Sequence, residues 1–337
     1  FRTVPIESYD PGVSEMLRRC DTPVTHAKTC EYVGIFRLER LVCREKIGKD
    51  VRQMIIDSHC HSWAYWPYLP PVPDPESHGA VEQLIHQMDT NGVDRATIVC
   101  AQIFQNFDNN DYIAAALKRY PDRLEQFADV DSMWSDTYHT PGAAARLEKA
   151  AERWPMKAFT HYVAGEDDGS WFNSPDGVDF FNTAAQLGLI ASIAMAPRHQ
   201  GELRKVAERH PDLNILCHHM SGLRAHGDDA RVNVDNVIES SKLPNIYLKL
   251  SGFHYLTDTT WNFPYADTRW VYEECYEAFG TNMCWGSDFP VVKKSMTHLQ
   301  SLEAFRTHCD FVSADDRDAI LGGTLEGLLS GSRAVSK

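Results

Sequence analysis

A (β/α)8 barrel of the TIM type with an N-terminal extension is the fold this sequence predicts. Two observations lead there. Eight short apolar, β-rich runs alternate with helix-like stretches of about a dozen residues, the rhythm of parallel βαβ units. Eight strands of this kind fit a closed barrel better than a doubly wound sheet. The chain of 337 residues is long enough for one barrel plus an added segment.

The expected strands span residues 54–59, 95–102, 124–130, 156–162, 189–196, 213–219, 245–251 and 282–288. Helical stretches fall between them, for example at 81–91, 176–187, 200–210 and 269–279. Gly92, Gly188 and Gly280 stand where a helix C-terminus favours glycine, and Pro121, Pro155 and Pro211 where a helix must stop. Residues 1–53 lack this periodicity. They carry ten Lys/Arg against eight Asp/Glu, whereas the rest of the chain is acidic. They are expected to be an extension that packs on the barrel or on a partner subunit of a homo-oligomer, with the catalytic domain occupying 54–337.

Composition narrows the function classes. Net charge is −14 and there is no basic stripe, which argues against nucleic acid as a partner. No run of about 18 apolar residues is present, so no membrane span is expected. The opening Phe1-Arg2-Thr3-Val4-Pro5 does not read as a secretory signal. Nine cysteines without CxxC spacing, among them Cys60, Cys100, Cys217 and Cys284 in apolar runs, read as buried thiols. A cytoplasmic location follows as the expectation.

Three strand ends carry chemistry. The first is Asp57-Ser58-His59-Cys60-His61. Residues two apart on a strand share a face, so His59 and His61 can reach one ion, and imidazole suits zinc-like divalent metals. The second is Met283-Cys284-Trp285-Gly286-Ser287-Asp288-Phe289-Pro290. In a closed barrel the last strand lies beside the first, so Asp288 comes near the histidines. Its carboxylate can bind a metal or take a proton from water; capping the next helix is the alternative. The third is Ile215-Leu216-Cys217-His218-His219-Met220-Ser221-Gly222. Alternation points His218 and His219 to opposite sides, so only one should face the site.

This combination resembles the amidohydrolase superfamily, in particular the amidohydrolase-related group that holds lactonases and some decarboxylases. The resemblance spans about residues 54–330. It includes Gly92-Val93-Asp94-Arg95-Ala96, Tyr120-Pro121-Asp122-Arg123, His210-Pro211-Asp212-Leu213, Leu248-Lys249-Leu250-Ser251-Gly252 and Ile320-Leu321-Gly322-Gly323-Thr324. It implies His59, His61, His219 and Asp288 as metal ligands, with Asp288 as catalytic base and His219 holding the ion or stabilising the developing oxyanion. Met220-Ser221 favours His219 over His218, which stays the alternative.

Two departures refine the expectation. Many relatives place a metal-bridging Lys or Glu late on the fourth strand, but here Lys157 stands at its start, which points to one divalent ion, zinc by ligand preference. Decarboxylase-like relatives end the fifth strand with a ligand histidine, where this chain has Ala194-Met195-Ala196. That favours lactone-type hydrolysis and keeps metal-free catalysis open. The expected substrate is a small carboxylated molecule. Arg198 is the expected carboxylate anchor, with His161, Tyr162, His254 and Trp63 at the pocket. The alternatives are a non-oxidative decarboxylase of an aromatic or muconate-type acid and a non-catalytic barrel scaffold.

Overall fold

A computed structural model of the chain describes residues 53–331. Apart from Gln53, the expected extension lies outside the described residues. Eight parallel strands follow in sequence order around one sheet: β1 (Ile56–Cys60), β2 (Arg95–Val99), β3 (Leu124–Asp129), β4 (Met156–Tyr162), β5 (Ile190–Ala194), β6 (Ile215–Cys217), β7 (Ile246–Leu250) and β8 (Met283–Trp285). Eight helices surround them: α1 (Val81–Asn91), α2 (Asn109–Arg119), α3 (Ala143–Arg153), α4 (Pro175–Gln186), α5 (Gln200–Arg209), α6 (Ala230–Ile238), α7 (Arg269–Phe279) and α8 (His298–Arg306). The (β/α)8 expectation holds.

The helices form where the periodicity places an apolar stripe. Helix α1 buries Val81, Leu84 and Met88 at helical spacing and ends on Gly92, whose φ of 73° is the left-handed cap that glycine adopts freely. Helix α4 begins with Pro175 after Ser174, whose hydroxyl accepts from the Gly177 N–H.

Seven strands each send a residue to one interior cluster: Ile56, Val99, Phe127, Ala158, Ile190, Leu216 and Cys284. Leu325, Leu328 and Leu329 of a further helix, α9 (Thr324–Gly331), join it and close the N-terminal end of the barrel. Arg95 pairs there with Glu125 at 2.7 Å and with Glu326.

The seam between β8 and β1 is closed by other means than a regular ladder. Ser58 Oγ donates to the Cys284 carbonyl at 3.2 Å, and Asp57 Oδ1 accepts from the Ser287 N–H at 2.9 Å. Beyond the strands, the Asp288 N–H donates to the His59 carbonyl at 2.7 Å and the His61 N–H to that of Phe289 at 2.6 Å. Gly286 makes this approach feasible: a Cβ there would lie 2.7 Å from His59 Cβ and 2.8 Å from its nitrogen.

Several strands are shorter at their C-terminal ends than expected. The chain leaves strand geometry after Cys217 and Trp285, and His219, Met220, Ser221 and Asp288 all take positive φ. The chemistry-bearing residues thus sit just past the strands.

Candidate active site

Strand β1 solves a problem of parity. Ile56 belongs to the barrel interior, so strict alternation would turn His59 and His61 outward. The register shifts between Asp57 and Cys60, with Asp57 opposite Ala96 and Cys60 opposite Ile98. Three residues on β1 thus match two on β2, and this bulge re-aims the histidines. Cys60 returns to the outer core, while His59 and His61 turn toward the mouth.

There the two imidazoles meet Asp288. The His59 and His61 Nε2 atoms are 3.2 Å apart. Asp288 Oδ1 lies 3.8 Å from His59 Nε2, 3.6 Å from His61 Nε2 and 4.0 Å from His219 Nε2. That oxygen is buried and accepts no hydrogen bond. The other, Oδ2, accepts from the Tyr255 hydroxyl at 2.7 Å.

This donor set fits a divalent ion. Zinc bonds nitrogen at about 2.0–2.1 Å and oxygen at about 2.0–2.2 Å, so tetrahedral ligand atoms lie roughly 3.4 Å apart. The separations of 3.2, 3.6 and 3.8 Å bracket that value. The tautomers also suit. His61 Nδ1 donates to the Val99 carbonyl at 2.7 Å, which leaves the lone pair on Nε2. His219 Nδ1 meets Ser251 Oγ at 3.0 Å, and the hydroxyl can accept from Nδ1–H and leave the Nε2 lone pair free. Burial lowers the pKa of His59 well below the usual value, with the neighbouring histidines adding to it, so it is neutral. Burial, only partly countered by Asp288, pushes His219 down to about 4. Burial alone would raise Asp288, but His219 and His61 overcome it and hold the carboxyl below its ordinary value. His59 and His219 are therefore neutral imidazoles beside an ionised carboxylate.

His218 and His219 do not point to opposite sides. Both approach His59, whose ring centroid lies 4.5 Å from that of His218 and 4.3 Å from that of His219. Alternation fails because β6 ends at Cys217 and the chain turns left-handed at His219. The two differ in partners. His218 Nε2 meets Ser192 Oγ at 2.7 Å, and the buried Lys249 Nζ donates to the same oxygen at 2.9 Å. His219 is the one within 4.0 Å of Asp288.

The expected pocket residues divide. His254 is buried beside Tyr255, and its pKa is lowered by burial and by Lys294 against the opposing pull of Asp288. Tyr162 sits 5.3 Å from the His218 ring, with its phenol pushed up by burial and by nearby Tyr68 and Asp288. Trp63 is buried behind His61, stacked on it at 4.8 Å, with Nε1 donating to the Ala101 carbonyl. It props a ligand rather than lining open space. His161 points the other way, among Phe172 and Phe180 of the outer layer, because its neighbour Tyr162 holds the inward parity. Arg198 is turned to the carbonyls of Gly165 and Asp167, since the exposed turn past β5 lies against the loop after β4. The anchoring role expected for it has no support in that geometry.

Sequence reasoning passed over Tyr255 and Lys294. Tyr255 was visible only as part of the aromatic run Phe253-His254-Tyr255, and Lys294 only as one of a lysine pair.

The six cysteines among the described residues are free and buried. No helix among the described residues is long and apolar enough to cross a membrane.

Comparison with known proteins finds the same fold in solved structures. A probable 2-pyrone-4,6-dicarboxylic acid hydrolase from Acinetobacter baumannii, solved with citric acid bound, superposes with a TM-score of 0.65 at 20% identity over 82% of this chain and 99% of that one. An amidohydrolase from Burkholderia multivorans with bound zinc gives 0.67 at 19% identity over 82% and 99%. Amidohydrolase 2 from Bifidobacterium longum subsp. infantis gives 0.57 at 15% over 82% and 99%. No curated protein matches the chain. The family model for amidohydrolases matches residues 56–326, most of the sequence and all eight strands. The chain belongs to the amidohydrolase family, enzymes that act on ester- and amide-type carbonyl bonds.

Proposed function

We propose that the protein opens a lactone, or a closely related activated ester, of a small carboxylated substrate, with Asp288 as base. The observation that carries this reading is the bare, buried Oδ1 of Asp288 surrounded by three imidazole Nε2 atoms at 3.6–4.0 Å. His59, His61, His219 and Asp288 would hold one divalent ion, zinc by donor chemistry. When bound, it supplies positive charge that polarises a carbonyl oxygen and acidifies water.

The chain's own groups divide the remaining work. Asp288 Oδ1 takes a proton from the attacking water as the new carbon–oxygen bond forms. It returns that proton to the ring oxygen when the old carbon–oxygen bond breaks, giving a hydroxy acid. Tyr255 fixes the carboxylate by its bond to Oδ2 and keeps Oδ1 turned toward the histidines. Trp63 fixes the plane of His61 from behind. The names of the Acinetobacter and Burkholderia neighbours, one a dicarboxylic lactone-type hydrolase and one with zinc, support the same direction.

A panel of neutral and carboxylated lactones, followed by acid release at constant pH with CO2 measured in parallel, tests the reading. Acid release without CO2 is expected. CO2 release from an aromatic or muconate-type acid, with no lactone opened, would replace it by decarboxylation.

A further inference from the structure

A chain with a net charge of −14 that takes an anionic substrate needs a local cation at the barrel mouth. Arg198 does not provide one, since its guanidinium is spent on the carbonyls of Gly165 and Asp167. Lys249 is fully buried and donates to Ser192. Lys293 turns to the His78 carbonyl and Gln83 at 3.2 Å each.

Lys294 is different. It ends the turn Val291–Lys294, six residues past Asp288, and its side chain is solvent-accessible. Its ammonium lies 4.2 Å from the centre of the Tyr68 ring and 5.5 Å from that of Trp66. Among the described residues no carboxylate lies within ion-pair distance of it. Its charge is nonetheless felt in the site: it interacts electrostatically with both Asp288 and His254. The loops after β1 and β8 therefore meet at this ammonium, the first bringing Trp66 and Tyr68, the second carrying Lys294 itself six residues past Asp288.

The arrangement is that of a held but unspent cation. Aromatic faces attract an ammonium and limit its freedom, so less order is lost when an anion arrives. The divalent ion that His59, His61, His219 and Asp288 would hold balances the charge of Asp288. Lys294 is then left without a counter-charge until substrate enters.

Resting on the lactone-opening reading above, we propose that Lys294 selects an anionic substrate: its ammonium, poised over Tyr68 and Trp66, pairs with a carboxylate at the end of the molecule remote from the carbonyl that Asp288 serves. It is a specificity residue and does not touch the reacting atoms.

The test compares a 2-pyrone carboxylate with the matching 2-pyrone carboxamide on wild type, Lys294→Met and Lys294→Arg. For Lys294→Met the KM of the carboxylate should rise about 10- to 100-fold, the range of a hydrogen bond to a charged group, with kcat within about threefold. The carboxamide should be processed unchanged, and Lys294→Arg should recover most of the loss. Equal losses on both substrates would mean that Lys294 only pins the Trp66–Tyr68 loop, and would overturn the proposal. No loss on either would overturn it too. If wild type opens neither pyrone, the lactone reading fails by itself. Lys294 is then judged by calorimetric titration with isophthalate and isophthalamide. Weaker isophthalate binding alone in Lys294→Met supports it, and any other result overturns it.

Discussion

Two histidine pairs in this barrel have the same first dimension and different characters. His59 and His61 face each other across 3.2 Å, and so do His139 and His161. Each pair has an aspartate nearby. In the first, the carboxylate lies on the same side as the facing nitrogens, so His59, His61, His219 and Asp288 converge on one point. In the second, the groups string out in a line. Asp167 meets the far nitrogen of His139, Nδ1, at 3.1 Å, and His161 Nδ1 meets the Val130 carbonyl at 3.2 Å. Asp167 is also satisfied, taking the Tyr138 hydroxyl on Oδ2 and the Gly169 N–H on Oδ1. Convergence with an oxygen left bare makes a reactive centre. A chain with every acceptor occupied makes a structural tie, here sandwiched with Trp171 stacked on His139 at 4.1 Å.

The sharpest way to break this contrast is to substitute one member of each pair. His61→Gln should lose the bound divalent ion and at least about 100-fold of the lactone-opening rate, because the cluster loses a donor. His161→Gln should keep both within a few-fold. Elemental analysis and steady-state rates on the two variants check this, and equal losses would erase the distinction.

Next in size is the seam that brings the first pair to Asp288. Gly286→Ala would drive a Cβ into His59, at 2.7 Å from its Cβ. We expect destabilisation of about 1–3 kcal/mol, the usual cost of overpacking, read as a lower urea midpoint.

The smallest effect concerns the second pair alone. Burial, helped by the charge of His161 and opposed by Asp167, lowers the pKa of His139 to about 4. The folded state then holds fewer protons than the unfolded chain, so this contribution is intact above the unfolded value near 6.5 and is lost as pH falls toward the folded one. His139→Gln removes it. The stability lost between pH 7 and pH 5 should shrink by about 1 kcal/mol relative to wild type, after allowance for the ring's partial exposure. An unchanged pH slope in urea unfolding would contradict this.

Much of the barrel is legible in the amino-acid sequence, and the reason is physical. Strand and helix periods are local, and α1 and α7 fall on the expected 81–91 and 269–279. His59, His61 and Asp288 stand in short motifs at strand ends, and barrel closure makes the first and last strands neighbours. What stays hidden depends on departures from ideal strands. The bulge at Asp57/Cys60 that turns His59 and His61 inward leaves no mark in the alternation, and neither does the left-handed turn that brings His218 and His219 to the same ring. The directions of His161, Arg198, Tyr255 and Lys294 are set by parity and loop packing, which residue type alone does not encode.

The role of Asp288 is tested most directly by the turnover of a carboxylated lactone by Asp288→Asn beside wild type, both zinc-loaded and both folded by circular dichroism. The expected result is a loss of about 100- to 10,000-fold, the range for removing a general base. Turnover within a few-fold of wild type would contradict it, because the bare carboxylate oxygen at the centre of the cluster would then have no part in the reaction.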